Sequence, residues 1–111
     1  WTEWYENGQK WLEGTYKDGK EDGKSTVWYE NGQKTFEITY KNGKYDGLYT
    51  SWHENGQREF EITYKNGEKD GKTVYWDENG QKRIEETYKD GYRISEECWD
   101  EDGNEMDCPR W

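Results

Sequence analysis

Residues 52–75 read WHENGQREFEITYKNGEKDGKTVY. From Glu59 the residues alternate. Phe60, Ile62 and Tyr64 fall on one side of an extended chain, with Glu59, Glu61 and Thr63 on the other, a period of two that marks a strand. Asn55-Gly56 precedes this run. Asn-Gly in a two-residue loop is a strong hairpin signal, because both central positions of a type I′ turn need φ > 0. Asn66-Gly67 follows, with Gly71 four residues on. Two glycines at that spacing predict a longer loop with at least one left-handed residue. The stretch therefore reads as turn, strand, turn, strand.

The same unit recurs along the chain. Trp4, Trp28, Trp52 and Trp76 are spaced by 24, and Trp99 follows at 23. Glu-Asn-Gly-Gln comes after each of the four, at Glu6–Gln9, Glu30–Gln33, Glu54–Gln57 and Glu78–Gln81. Then come a Glu at 13, 37, 61 and 85, a Tyr at 16, 40, 64 and 88, and a Gly at 19, 43, 67 and 91. A further Gly stands at 23, 47 and 71. The expected turns are Asn31-Gly32, Asn55-Gly56 and Asn79-Gly80. Gly interrupts every window long enough for a helix. The fold expected is all-β: a repeat stack of antiparallel hairpins in an elongated, single-layer meander. With roughly nine strands at about 4.8 Å each, it would be about 40–45 Å long. The units run over about 4–27, 28–51, 52–75 and 76–98, with a partial C-terminal cap at 99–111, in one repeat domain spanning 1–111.

In an idealised register around Asn55-Gly56, Ser51 lies opposite Phe60, Tyr49 opposite Ile62, and Trp52 opposite Glu59. That puts a Trp ladder on one face and a Phe/Ile/Tyr ladder on the other, unless a bulge intervenes. Trp4, Trp28, Trp52, Trp76 and Trp99 would then stand about 10 Å apart, two strand widths. They read either as the packing of a thin sheet or as an exposed stripe that anchors a partner or stacks on sugars. Glu37, Glu61 and Glu85, with Glu13, form a parallel ladder that attracts a basic partner or pairs with Lys across strands.

Charged residues make up 38% of the chain and the net charge is -10, a profile that by composition alone resembles disorder. Eight Trp and ten Tyr reverse that reading, since one large ring buries on the order of 150–250 Å². The acidic balance disfavours nucleic-acid backbones and anionic membranes and favours a basic protein. No apolar run approaches the roughly 20 residues of a transmembrane span. The sequence starts at Trp1, which leads one to expect an upstream segment, a signal peptide among the options.

The last unit departs from the pattern. No Gly follows Gly91 at the usual spacing, Ser95 stands near its place, and one residue is deleted. Cys98 and Cys108 occur only here. A disulfide between them would pin a cap across the Asp102-Gly103 turn and would favour, weakly, an extracytoplasmic or secreted location. In the idealised register Cys98 faces Asp107, so the bridge needs a small offset. Two free thiols in a cytosolic protein is the alternative.

The pattern Trp-x-Glu-Asn-Gly-Gln-Lys, then Glu-x-x-Tyr-Lys-Asn/Asp-Gly, then Gly, resembles the membrane occupation and recognition nexus (MORN) repeat, over essentially residues 4 to 106. It is most similar to the bacterial second variant, seen in YwqK-like antitoxin proteins. The resemblance implies a single layer of hairpins used as a binding or scaffolding surface, in some members as the antitoxin or immunity half of a toxin pair. It brings no catalytic residues.

The residues point the same way. The single His53 fills a slot held by Tyr5, Tyr29 and Asp77 in other units, unlike a catalytic base. Glu85-Glu86 and Glu96-Glu97 read as solvated strand residues rather than an acid/base couple. Asp100 to Asn104 looks like half a calcium loop, but the required Glu would fall at Trp111, so a hairpin turn is expected. No phosphate loop or zinc-protease motif is present. Neither a catalytic residue, a metal nor a cofactor is expected. The functional expectation is a non-enzymatic protein-binding or scaffolding repeat module, with an acidic antitoxin or immunity protein as one form of it. The alternative is a secreted or surface structural module, a fibre subunit or glycan binder, able to self-associate through its open edges. A calcium- or lipid-binding module ranks third.

Overall fold

The computed structural model describes residues 1–109. Among them there is no helix. Twelve strands run in chain order: β1 (Thr2–Trp4), β2 (Lys10–Glu13), β3 (Tyr16–Lys17), β4 (Lys20–Glu21), β5 (Gly23–Trp28), β6 (Lys34–Lys41), β7 (Lys44–Trp52), β8 (Arg58–Lys65), β9 (Glu68–Trp76), β10 (Lys82–Lys89), β11 (Tyr92–Trp99) and β12 (Glu105–Met106). Ten of them form one open antiparallel meander, ordered β1-β2-β5-β6-β7-β8-β9-β10-β11-β12, and β3-β4 is a separate small hairpin. The longest extent is 44 Å, within the range the strand count predicts. The fold is the all-β repeat stack the periodicity implies.

The two turn types are exchanged relative to expectation. Asn31, Asn55 and Asn79 are not left-handed; only Gly32, Gly56 and Gly80 are. In each case the loop holds three residues. The Gly32 amide donates to the Tyr29 carbonyl at 3.0 Å and the Tyr29 amide to the Gln33 carbonyl at 2.7 Å, the hydrogen bonding of a type I turn closed by a left-handed glycine. The Asn31 side chain accepts from the Gln33 amide at 2.9 Å, so Asn is there to fold back on the backbone. The two-residue turns lie at the other end. Asn42 (φ 53) with Gly43 (φ 82), and Asn66 (φ 52) with Gly67 (φ 86), are both left-handed, as type I′ demands.

The glycine after each tight turn sits inside a strand, at a bulge. Ile38 pairs with Tyr49 and Tyr40 with Tyr45, so Asp46, Gly47 and Leu48 stand opposite Thr39 alone. Gly47 has φ 112, and a Cβ on it would lie 3.2 Å from that of Thr39. In the last unit Thr87 pairs with Ser95 and Tyr88 with Arg93. Only Ile94 is extra there, so the deleted residue came out of the bulge, and the glycine went with it.

Consecutive units are stitched by groups roughly one repeat apart. The Tyr5 hydroxyl donates to the Trp28 carbonyl at 2.6 Å and that of Tyr29 to the Trp52 carbonyl at 3.3 Å. The Gly67 amide of one tight turn donates to the Tyr45 carbonyl of the unit before at 2.8 Å. Buried apolar side chains are few: Ile38, Ile62 and Cys98. All three lie on one face of the sheet.

That face ends differently at its two edges. In the first unit Gly14 occupies the Ile38 position, and the Trp1 ring lies 2.7 Å from where its Cβ would be. The Gly14 amide donates to the Trp1 carbonyl at 2.9 Å. Without a buried side chain there the strand stops at Glu13, and β3-β4 pairs by itself. At the other edge Cys98 and Cys108 form a disulfide. Cys98 pairs with Met106 rather than Asp107, which supplies the offset the bridge requires.

Candidate functional site

The register separates two aromatic faces. Phe36 stands beside Val27 and Ser51, Ile38 beside Ser25 and Tyr49, and Phe60 beside Tyr75. These, with Tyr40, Tyr45 and Tyr64, make a ring face. Its rings touch edge to face: Tyr45 lies 5.3 Å from Tyr40, 6.1 Å from Tyr49 and 5.1 Å from Tyr64, and Tyr49 lies 5.2 Å from Phe60. Such pairs add about 0.5–1.5 kcal/mol each beyond burial. Burial, with help from Tyr45, raises the Tyr49 and Tyr64 phenols above their ordinary pKa. Burial and the neighbouring Glu21 do the same for Tyr40.

The Trp ladder lies on the opposite face, as expected, but its partners are not those of the idealised register. Trp52 pairs with Arg58, not Glu59, because Glu59 is the extra residue of a bulge. Trp28 likewise meets Lys34, and Trp76 meets Lys82. The bulge swings the Lys or Arg that follows Gln onto the tryptophan face. Lys34 Nζ then lies 5.6 Å from the Trp52 ring centre, the Arg58 guanidinium 4.6 Å from Trp76, and Lys82 Nζ 4.5 Å from Trp99. Lys10 lies between Trp4 (5.8 Å) and Trp28 (6.0 Å).

The Glu ladder completes this face. Lys10 bonds Glu13 at 2.9 Å, Lys34 bonds Glu37 at 3.1 Å, Arg58 bonds Glu61 at 3.4 Å and Lys82 bonds Glu85 at 3.3 Å. Burial by itself would raise the Glu37 carboxyl. The hydrogen bonds from Lys34 and Thr26 outweigh it and hold Glu37 below the ordinary range. The bond from Lys72, against some burial and with help from Lys82, lowers Glu85. Each tryptophan of this face thus carries a cation from its own chain, and each cation a carboxylate.

His53 is structural. Its Nε2 lies 3.2 Å from the Trp76 carbonyl, in the slot of Tyr5 and Tyr29, which makes it the donor. Asp77 has no proton to give in that slot. Arg83 supplies it instead, donating from Nε to the Trp99 carbonyl at 2.9 Å while paired with Asp77 at 3.8 Å. Asp100 accepts from the Asp102 and Asn104 amides at 2.9 Å. The Asn104 amide, then that of Asp102, lowers its pKa, so the half calcium loop is spent on its own turn.

Sequence reading missed the change along the ring face. Ile38 and Ile62 are followed at the same position by Glu86, which is 8% exposed. Arg93 Nη1 reaches it at 3.2 Å and Glu96 at 3.0 Å, and the Tyr88 hydroxyl donates to it at 3.1 Å. The signal was in the sequence, as a carboxylate on the apolar parity of a repeat. Glu86 and Arg93 line an open groove of the fourth unit together with Tyr75, Met106 and the disulfide. The Glu96 carboxylate lies within 4.8 Å of both sulfurs, which are bonded to one another and are not thiolate ligands.

An open, single-layer sheet of hairpin repeats with a different aromatic array on each face defines the class: a β-hairpin repeat protein. The model of the MORN repeat variant matches residues 1–18, 21–42, 45–66 and 69–90. The chain belongs to the MORN repeat family. Neither a curated protein nor a solved structure matches it. Repeats of this family generally serve as protein- or membrane-binding modules without enzymatic activity. Among the described residues no helix is long and apolar enough to cross a membrane.

Proposed function

We propose that this chain is a protein-binding repeat module, and that its partner is basic. The observation carrying this reading is the ring face. Its rings are only half-buried, and among the described residues no second layer covers them, so aromatic area remains for a partner. The net charge of -10 favours a basic one. The antitoxin or immunity version is the sharpest form: an acidic repeat surface neutralising a basic toxin. Co-expression with a toxin encoded beside it should give rescue and a complex that salt dissociates; no rescue and no complex would sink it.

The disulfide supports a second reading, a secreted or surface module, because such bonds persist in oxidising compartments. Thiol alkylation of freshly isolated protein followed by mass measurement decides it. Two alkylated cysteines without reductant would count against this reading.

A further inference from the structure

The two faces use the same components. On the tryptophan face a ring and a carboxylate together hold a cation, as Trp52 and Glu37 hold Lys34. The ring face repeats that chemistry with phenols. Glu21 stands one repeat before Tyr45, at the same place in the unit, and bears on Tyr40; Glu59 accepts from Ser51 Oγ at 2.9 Å, two residues along β7 from Tyr49. Among the described residues no Lys or Arg lies over Tyr40, Tyr45, Tyr49 or Tyr64. Among the described residues Glu21 makes no ion pair, and the one ion-pair neighbour of Glu59 is His53, at 3.8 Å. The cations reappear at the C-terminal end, where Lys69 Nζ lies 4.8 Å from the Tyr88 ring centre and Arg93 holds Glu86. Positions 21, 45, 69 and 93 share one place in the repeat and read Glu, Tyr, Lys, Arg. In unit four the chain fills the ring face itself, with Lys69 of unit three over Tyr88 and Arg93 on Glu86, while Tyr40, Tyr45, Tyr49 and Tyr64 of the earlier units carry no such cation.

We propose that the ring face of units one to three docks a basic, extended segment of a partner protein. The segment seats Lys or Arg side chains on Tyr40, Tyr45 and Tyr49 beside Glu21 and Glu59, and it stops where Lys69 and Arg93 begin. Rings give a cation a favourable face, and the carboxylates add charge attraction that a neutral or acidic segment would not receive. A second copy of this chain, at the same charge of -10, is repelled. The proposal deepens the binding-module reading and rests on it.

The test uses the full chain and a synthetic peptide of alternating lysine and serine, with its fully lysine-acetylated counterpart as control. Titration followed by aromatic NMR should move the Tyr40, Tyr45, Tyr49 and Tyr64 ring signals and leave the Trp28, Trp52 and Trp76 indoles in place. Tyr45→Ala should weaken binding roughly three- to thirty-fold, the range of one cation–ring contact. Tyr45→Phe, which keeps the ring, should bind as the parent does and separates lost contact from lost folding. The Glu21→Gln, Glu59→Gln double variant should bind more weakly and lose much of the salt dependence between about 0.05 and about 0.5 M. Equal binding of the acetylated peptide, shifts confined to the indoles, parent affinity in Tyr45→Ala, or no binding would each overturn this surface. A native partner that binds Tyr45→Ala normally would refute the surface and keep the module; no partner for the full chain would refute the module itself.

Discussion

The ring face and the tryptophan face sit on opposite sides of the same strands, and both are made of aromatic rings and carboxylates. They differ in the third component. Lys10, Lys34, Arg58 and Lys82 lie over the tryptophans, while Tyr40, Tyr45, Tyr49 and Tyr64 have one another. The cause is local and geometric. One extra residue at the second position of β6, β8 and β10 (Thr35, Glu59 and Arg83) turns the preceding cation toward the Trp side. One face is thereby a charge lattice, and the other, half-buried, holds the few side chains the sheet conceals. A single layer can stand on a small core because the rings and the inter-unit hydrogen bonds share the load.

The hardest test of that contrast is one substitution on each side. Ile62 is 7% exposed, and Ile62→Ala should destabilise by about 2–4 kcal/mol, read as a lower urea midpoint. On the other face Glu61→Gln, which breaks only the half-exposed pair with Arg58, should cost no more than about 0.2–1 kcal/mol. Equal losses would mean the two sides are not different in kind. Gly71→Ala strikes the bulge between them. With φ 108 and Thr63 Cβ 3.3 Å from the added carbon, it should cost on the order of 1–3 kcal/mol.

A smaller effect has the opposite sign. Thr73 is fully buried on the ring face, beside Ile62 and opposite Glu86, and its Oγ1 has no hydrogen-bond partner among the described residues. An unpaired buried hydroxyl costs about 1–3 kcal/mol. Thr73→Val should therefore raise stability by about 1 kcal/mol, seen as a higher melting temperature. Unchanged or lower stability would show that the hydroxyl is satisfied after all.

Much of this was legible before any coordinates. Alternation in Phe60, Ile62 and Tyr64 gave the strands, and the 24-residue spacing gave the meander. The pairing of Ser51 with Phe60 and of Tyr49 with Ile62, expected from a two-residue loop at Asn55-Gly56, holds because the third loop residue and the bulge at Glu59 offset one another. The turns were less legible, because Asn-Gly serves two purposes. At Asn42-Gly43 both residues are left-handed. At Asn31-Gly32 only Gly is, and Asn folds back on an amide. Neighbours decide between them, and a dipeptide carries no neighbours. The bulge at Glu59 was illegible for a related reason. It shifts one pairing by one residue, and that residue determines whether Trp52 meets a carboxylate or a guanidinium. The two Cys predicted their own bridge, while Glu86 was read as a solvated strand residue, although its spacing of 24 from Ile62 already put it at a buried position.

The gentlest probe of the contrast is pH, because it reaches each face through a different group. Glu37 and Glu85 have folded-state pKa values below the ordinary 4.5 of a free Glu. A carboxyl depressed by folding contributes stability above its unfolded pKa and loses it as pH falls through the folded value. The tryptophan face should thus weaken on the acid side, below about pH 4.5. Tyr49 and Tyr64 have folded-state values above 10.0, with burial the main cause. A phenol raised by folding contributes stability below its unfolded pKa and loses it as pH rises past that value. The ring face should weaken on the alkaline side, above about pH 10. Urea midpoints across pH would show a plateau with two shoulders. Glu37→Gln should flatten the acid shoulder and leave the alkaline one, and Tyr49→Phe should do the reverse. If either variant moved both shoulders, the faces would be coupled through the strands they share, and the division of labour between them would fail.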